Sequence, residues 1–147
     1  MTPLKTFRFV AIAEAVTWAL LLTGMAFKYS DVTDLGVRVF GMVHGVVFIA
    51  FVLTTLLVAV DQRWSARRSV LTLLASIPPF VTIVADRSAE KAGVLATAWR
   101  LTATEPQRTL DRPVAWLLRN PVRGAVAGVV AVAALTGVAL LVGPPAS

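Results

Sequence analysis

Residues 37–60 read VRVFGMVHGVVFIAFVLTTLLVAV, and this stretch decides the fold. It holds no charged side chain after Arg38. At about 1.5 Å per helical residue it is long enough to cross a hydrocarbon core of ~30 Å, so it is expected to span a membrane as one helix. Near its start lies Gly41-Met42-Val43-His44-Gly45, two glycines four apart with the chain's only histidine between them. Polar groups at that depth are costly and face protein rather than lipid, so neighbouring helices are expected to pack here.

Upstream, Phe7–Phe27 forms another apolar run, with Arg8 at its start and Glu14 inside it. A cleaved signal peptide fits poorly: the run contains an acid, lacks an A-x-A-type site, and is followed by further apolar stretches. The connection Lys28–Gly36, KYSDVTDLG, is short enough to make the first two helices antiparallel neighbours. Tyr29 and Lys28 suit the headgroup layer, and Asp34 is positioned to cap the second helix.

Downstream, Asp61–Arg68, DQRWSARR, reads as an interfacial hairpin holding Trp64. Ser69–Ala85 then reads as a third span, short and extended by its flanks, with a kink at Pro78-Pro79. Ser76 is placed to serve a carbonyl freed by those prolines. Residues 89–104 fit an amphipathic helix lying on the membrane, with Leu95, Trp99 and Leu101 inward and Arg100 outward. Asp111 is expected to cap a short second helix. Asn120-Pro121 signals the start of a fourth span, 121–142, stopped by Gly143-Pro144-Pro145.

The expected fold is an all-α membrane protein with four transmembrane helices (about 7–27, 37–60, 69–85 and 121–142) and an interfacial amphipathic helix (about 89–104). Its parts are a three-helix membrane unit over 1–87, a surface segment over 88–120, and the fourth span with a short tail over 121–147.

Composition agrees. Of the 147 residues 57% are hydrophobic, and the mean hydropathy is +0.78. No cysteine is present, which excludes disulfides, thiolate metal sites and cysteine nucleophiles. One histidine excludes a multi-histidine metal centre within one chain. The net charge of +6 is read as topology and contact with anionic lipid, not nucleic acid. With four crossings, both termini share a side with the second loop. That side holds five Lys and Arg and the other nine, so the positive-inside rule puts the long loop 86–120 in the cytoplasm and both termini outside an inner, cell membrane.

Two features carry the candidate chemistry. Gly41 and Gly45, Gly124 and Gly128, and Ala133 with Gly137 form small-residue stripes that let helix backbones approach, within one chain or between two. Glu14 and His44 are ionisable groups at depth. Counting from the span ends puts them roughly 8 Å apart in level, too far for a direct pair, with Thr17 a candidate bridge. The same count brings Ser76 level with Glu14 and Thr82 level with His44. No serine elbow, phosphate loop, paired carboxylates or metal set is present, so neither catalysis nor a cofactor is expected.

Residues 7–87 resemble a group of small bacterial integral membrane proteins catalogued as a domain of unknown function. The resemblance rests on Phe7-Arg8, Glu14, Thr17, Leu20–Leu22, Lys28-Tyr29, Gly41, His44-Gly45, Phe48, Trp64, Pro79-Phe80, Thr82 and Asp86-Arg87. It departs at Ala15 and Val81, where glycine is expected, and at Met25-Ala26-Phe27, where a proline is expected. It implies a three-helix membrane unit and no particular activity. Two functions remain: an accessory or scaffold protein that packs on a larger membrane complex or on its own copies, or a small oligomeric carrier or channel using Glu14 and His44.

Overall fold

The computed structural model describes residues 2–142. It is all-helical among those residues: α1 Pro3–Tyr29, α2 Leu35–Asp61, α3 Ala66–Leu74, α4 Val81–Lys91, α5 Asp111–Arg119 and α6 Pro121–Val142. Three helices, α1, α2 and α6, are long and apolar enough to cross a membrane. The expected stop at Gly143-Pro144-Pro145 and the tail lie outside the described residues.

Helix α1 starts where Thr2 Oγ1 accepts from Lys5 N, with Pro3 in the first turn, where its missing amide is harmless. It ends at Ser30, and Asp31 turns the chain with φ 61°. The return into α2 is tight because Gly24 meets Gly36: a Cβ on Gly24 would lie 2.7 Å from the Gly36 carbonyl carbon. Asp34 makes no side-chain cap; its carboxylate pairs instead with Arg38 at 3.1 Å. From that contact α2 runs antiparallel along α1 to Phe51, whose ring centroid lies 5.7 Å from that of Phe7.

The expected third span is not one helix. Ile77 precedes Pro78, and Pro78 precedes Pro79, so two residues in a row are pushed out of the helical region while two amide donors are missing. Phe80 then adopts the left-handed conformation, φ 69°, which reverses the chain. The result is a break, not a kink. Contacts with α1 give its direction. Trp64, before α3, packs its ring 5.7 Å from Phe7. Ser76, at the turn, takes the Trp18 indole N–H on its carbonyl at 3.4 Å. Thr82 Oγ1 then donates to Ala11 O at 2.9 Å, Arg8 Nε donates to Asp86 Oδ2 at 2.9 Å, and Leu4 N donates to Ala96 O at 3.3 Å. The segment enters beside Phe7, turns beside Trp18 and comes back beside Leu4. It is a helical hairpin folded back along α1. Trp18 lies eleven residues past Phe7, so the turn sits ~16 Å along α1 from the hairpin's base.

The amphipathic helix expected over 89–104 is also absent. Helix α4 occupies its first residues and ends at Lys91, Gly93 follows with φ 71°, and only a 3₁₀ turn, Arg100–Thr102, comes after. The backbone here is bound from outside the segment: Trp64 Nε1 donates to Val94 O at 2.8 Å, and Ala96 N to Gln62 Oε1 at 3.1 Å. Leu95 and Leu101 are buried in protein, and Trp99 packs half-buried on the same core. Arg100 points inward, the reverse of its expected direction, because it closes the polar clasp described below.

Most of the core therefore lies at one end. Phe7, Ala11, Phe51, Val58 and Trp64 form its centre, and Leu101, Val114 and Ala115 extend it under α5. Trp64 is buried in this core and does not sit as a lipid-facing anchor. Helix α6 starts at this end, close enough to α5 that a Cβ on Gly124 would collide with Leu117 O. It then packs back along α2, with half-buried positions at Gly124, Ala127, Ala131 and Thr136-Gly137. Three candidate spans, in place of the expected four, are present among the described residues.

Candidate functional site

Two polar constructions stand out. The first lies at the N-terminal end of α1. Asp61, the last residue of α2, is fully buried. Its carboxylate accepts from Leu101 N at 2.8 Å, from Arg100 N at 2.9 Å and from Gln62 Nε2 at 2.5 Å. Arg100 answers by donating Nε to Asp61 O at 2.6 Å and a terminal nitrogen to Asp111 Oδ1 at 3.3 Å. Asp111 does not cap α5. It sits inside the first turn and accepts from Gln107 N and Arg108 N, each at 3.1 Å. Burial alone would raise its carboxyl pKa; those amides and the Arg100 guanidinium outweigh burial and hold it below the usual carboxylate value. Arg119 completes the clasp by donating to Leu101 O at 2.9 Å and Thr104 O at 2.7 Å. Sequence reasoning missed this set. Its signal was an acid closing a span next to a cationic loop.

The second construction lies between α1 and α2, near the middle of α1. Glu14 is fully buried and Thr17 nearly so. Thr17 Oγ1 lies 2.9 Å from His44 Nδ1, and His44 Nε2 lies 3.6 Å from Glu14 Oε1. That last separation is within ion-pair range and too long for a hydrogen bond. The Trp18 ring stacks beside His44, centroids 4.7 Å apart, and its indole also faces the Glu14 carboxyl. Neither Glu14 oxygen has a hydrogen-bond partner among the described residues. The expectation that Glu14 and His44 lie too far apart is thus corrected. The count from the span ends set Val37 opposite Phe27, whereas Val37 lies against Gly24, three residues or ~4.5 Å deeper along α1. That shift removes most of the counted 8 Å.

Ser76 and Thr82 do not join this centre. The hairpin turn inverts their expected order, so Ser76 sits by Trp18 and Thr82 by Ala11. Ser76 Oγ donates to Leu73 O at 2.6 Å, whereas the carbonyls that Pro78 and Pro79 leave without a helical donor are those of Leu74 and Ala75, so Ser76 does not serve them as expected. Arg8 binds Asp86 and Glu90 and so ties the return arm of the hairpin to α1. Lys28 and Tyr29 end α1 at the opposite face, with Tyr29 exposed.

The glycine stripes sort differently from expectation. Close approach occurs at Gly24 with Gly36 and at Gly124 with α5. A Cβ on Gly41 would meet only Leu21 Cδ1 at an ordinary 3.9 Å, and Gly45, Gly128 and Gly137 have open space. Gly24 and Gly36 carried a signal that no motif search uses: they are equidistant from the turn at Ser30.

Among the described residues, an all-helical chain with three potential spans, a folded-back hairpin and a buried Glu-Thr-His centre fits a membrane-protein class. The chain belongs to the family described as a domain of unknown function, DUF3817, whose model matches residues 4–91. It is 47% identical over 94 residues to a candidate membrane protein of Streptomyces coelicolor, a match that covers 63% of this chain and 11% of the relative. The matched stretch is thus about a tenth of that relative's length. No solved structure matches.

Proposed function

We propose that the chain is an accessory membrane module that packs on a larger membrane protein or on its own copies. One observation carries this reading: a stretch of the same sequence type makes up 11% of a much longer candidate membrane protein. A stretch that lies within a longer membrane protein suits a part that works beside other membrane segments. The glycine faces at Gly45 and Gly128, with open space at their Cβ positions, supply surfaces where another helix backbone can approach. No catalytic step, cofactor or nucleic acid enters this reading. The test is extraction of the tagged protein in a mild detergent, with size analysis and identification of what co-purifies. A monomer without companions, in bilayer nanodiscs as well as in detergent, would refute the module reading.

Sidedness follows from the hairpin. The N-terminal end carries twelve of the fourteen Lys and Arg, and only Lys28 and Arg38 lie at the other face. This imbalance supports an inner-membrane placement with the N-terminal end and the 92–120 segment in the cytoplasm and the end of α6 outside. Single cysteines at Lys5, Thr104 and Thr33 check it. The first two should react with an impermeant maleimide only after the membrane is opened, and the third in intact cells.

A second reading, a small carrier or channel, is favoured by the meeting of Glu14, Thr17 and His44 near the middle of α1. Proton or cation flux into protein-loaded liposomes, lost in Glu14→Gln, would support it. Flux unchanged by that substitution would remove it.

A further inference from the structure

We propose that the cleft between α3 and α4 is a binding groove for one anionic phospholipid, drawn from the leaflet that the hairpin enters. The two arms of the hairpin diverge from their turn and leave an open cleft of about 450 Å³. Its walls are mostly apolar, from Leu71 and Ala75 beside α3 to Val81 and Val84 on α4, with Thr72 and Ser88 as the polar exceptions. Its mouth carries Arg67 and Arg68, and no acidic residue lines it. Ala75 lies eight residues beyond Arg67, or ~12 Å along a helix, close to the ~15 Å of one hydrocarbon leaflet. The mouth thus lies at headgroup level and the floor near the bilayer centre.

A cleft open to hydrocarbon does not stay empty, since its walls would forfeit their dispersion contacts. An acyl chain fills it. The selective element is the head above that chain. Arg8, Arg63, Arg100 and Arg119 are all engaged by protein acceptors. The guanidinium groups of Arg67 and Arg68, by contrast, make no hydrogen bond or ion pair among the described residues. Two unengaged guanidiniums at phosphate depth, over a slot one leaflet deep, match a lipid that offers both a net negative head and a long chain. The groove lies on α3 and α4, away from Glu14 and His44, so it stands whichever function the centre serves.

The experiment is native mass spectrometry of the purified full chain in neutral detergent. It is titrated with phosphatidylglycerol and phosphatidylcholine of identical long acyl chains. One phosphatidylglycerol should be retained on the order of twenty-fold more strongly than phosphatidylcholine, from roughly five-fold per arginine. The double substitution Arg67→Gln with Arg68→Gln should bring that preference close to one. Arg112→Gln with Arg123→Gln removes equal charge elsewhere at the same end and should leave it intact. Ala85→Phe, which fills the cleft, should weaken retention of both lipids, and a thermal melt checks that it still folds. If it does not fold, the arginine pair decides alone. Equal retention of the two lipids overturns the proposal, as does loss of preference in the Arg112/Arg123 control. Full competition by glycerol phosphate would also overturn it, because a site for free phosphate needs no acyl slot.

Discussion

Asp61 and Glu14 are both fully buried carboxyl groups on long apolar helices, and their surroundings are opposite. Asp61 receives three donors at 2.5–2.9 Å and stands in a ring with Arg100 and Asp111. Glu14 receives no hydrogen bond, and its nearest ionisable neighbour is His44 at 3.6 Å. A buried acid whose acceptor sites are filled is a structural fixture, because removing it strands every donor around it. A buried acid left loose contributes little to the fold, and such intramembrane groups are kept for function.

The largest expected effect tests the first half of that contrast. Asp61→Ala leaves the backbone amides of Arg100 and Leu101 and the Gln62 side-chain amide without their acceptor and should cost about 1–3 kcal/mol for each buried donor stranded. A detergent melt reads the loss, and Asp61→Asn should recover part of it. Next comes the steric counterpart. Gly24→Leu drives a side chain into the Gly36 backbone and should cost about 1–3 kcal/mol, the range for overpacking. Gly45→Leu should leave the melt of the monomer unchanged and lower only cross-linked dimer yield. Equal melts for the two leucine variants would break the distinction between the glycine pairs.

Glu14 is expected to matter less to stability than Asp61. Glu14→Gln should melt like the native chain, and Glu14→Ala should lose about 1 kcal/mol, the scale of a single net hydrogen bond. Should Glu14→Ala melt as low as Asp61→Ala, the two acids are not different in kind. The smallest effect is that of pH on Asp111. Its folded pKa lies below the unfolded value, so its contribution is fully present above the unfolded carboxyl pKa and is lost as pH falls through the folded one. The melt of the native chain should therefore decline below about pH 4 more steeply than that of Asp111→Asn.

The three long helices were legible because hydropathy over twenty or more residues depends on no neighbour. Glu14, Thr17 and His44 were legible as individual candidates, beside Ser76 and Thr82, for the same reason: polar groups in an apolar run need no structure to be noticed. What could not be read was register. A count from hydropathy boundaries set Val37 opposite Phe27, and only the Gly24–Gly36 contact fixes the true offset. The hairpin was half legible. Ser69–Ala85 is short for a crossing and centred on two prolines, which are consistent with either a kink or a reversal. What decides is the left-handed Phe80 and the tether from Arg8 to Asp86 and Glu90, contacts between residues far apart in sequence. Residues 89–104 failed as a helix because local periodicity was overruled by Trp64, Gln62 and Asp61, which bind that backbone from outside.

The folded-back hairpin also has a bearing on how such a unit travels between proteins. The family match ends at residue 91, at the close of α4. On the proposed topology, the chain up to that point crosses the membrane twice, dips in and comes out on the face where it started. Such a unit has even parity: a longer membrane protein can carry it at a junction on that face, and every segment after it keeps its original orientation. Had residues 69–85 crossed, each copy would invert whatever followed. Helix α6 lies beyond the matched residues and, on the same proposed topology, adds the odd crossing, so in this chain the inversion falls to a segment outside the family match.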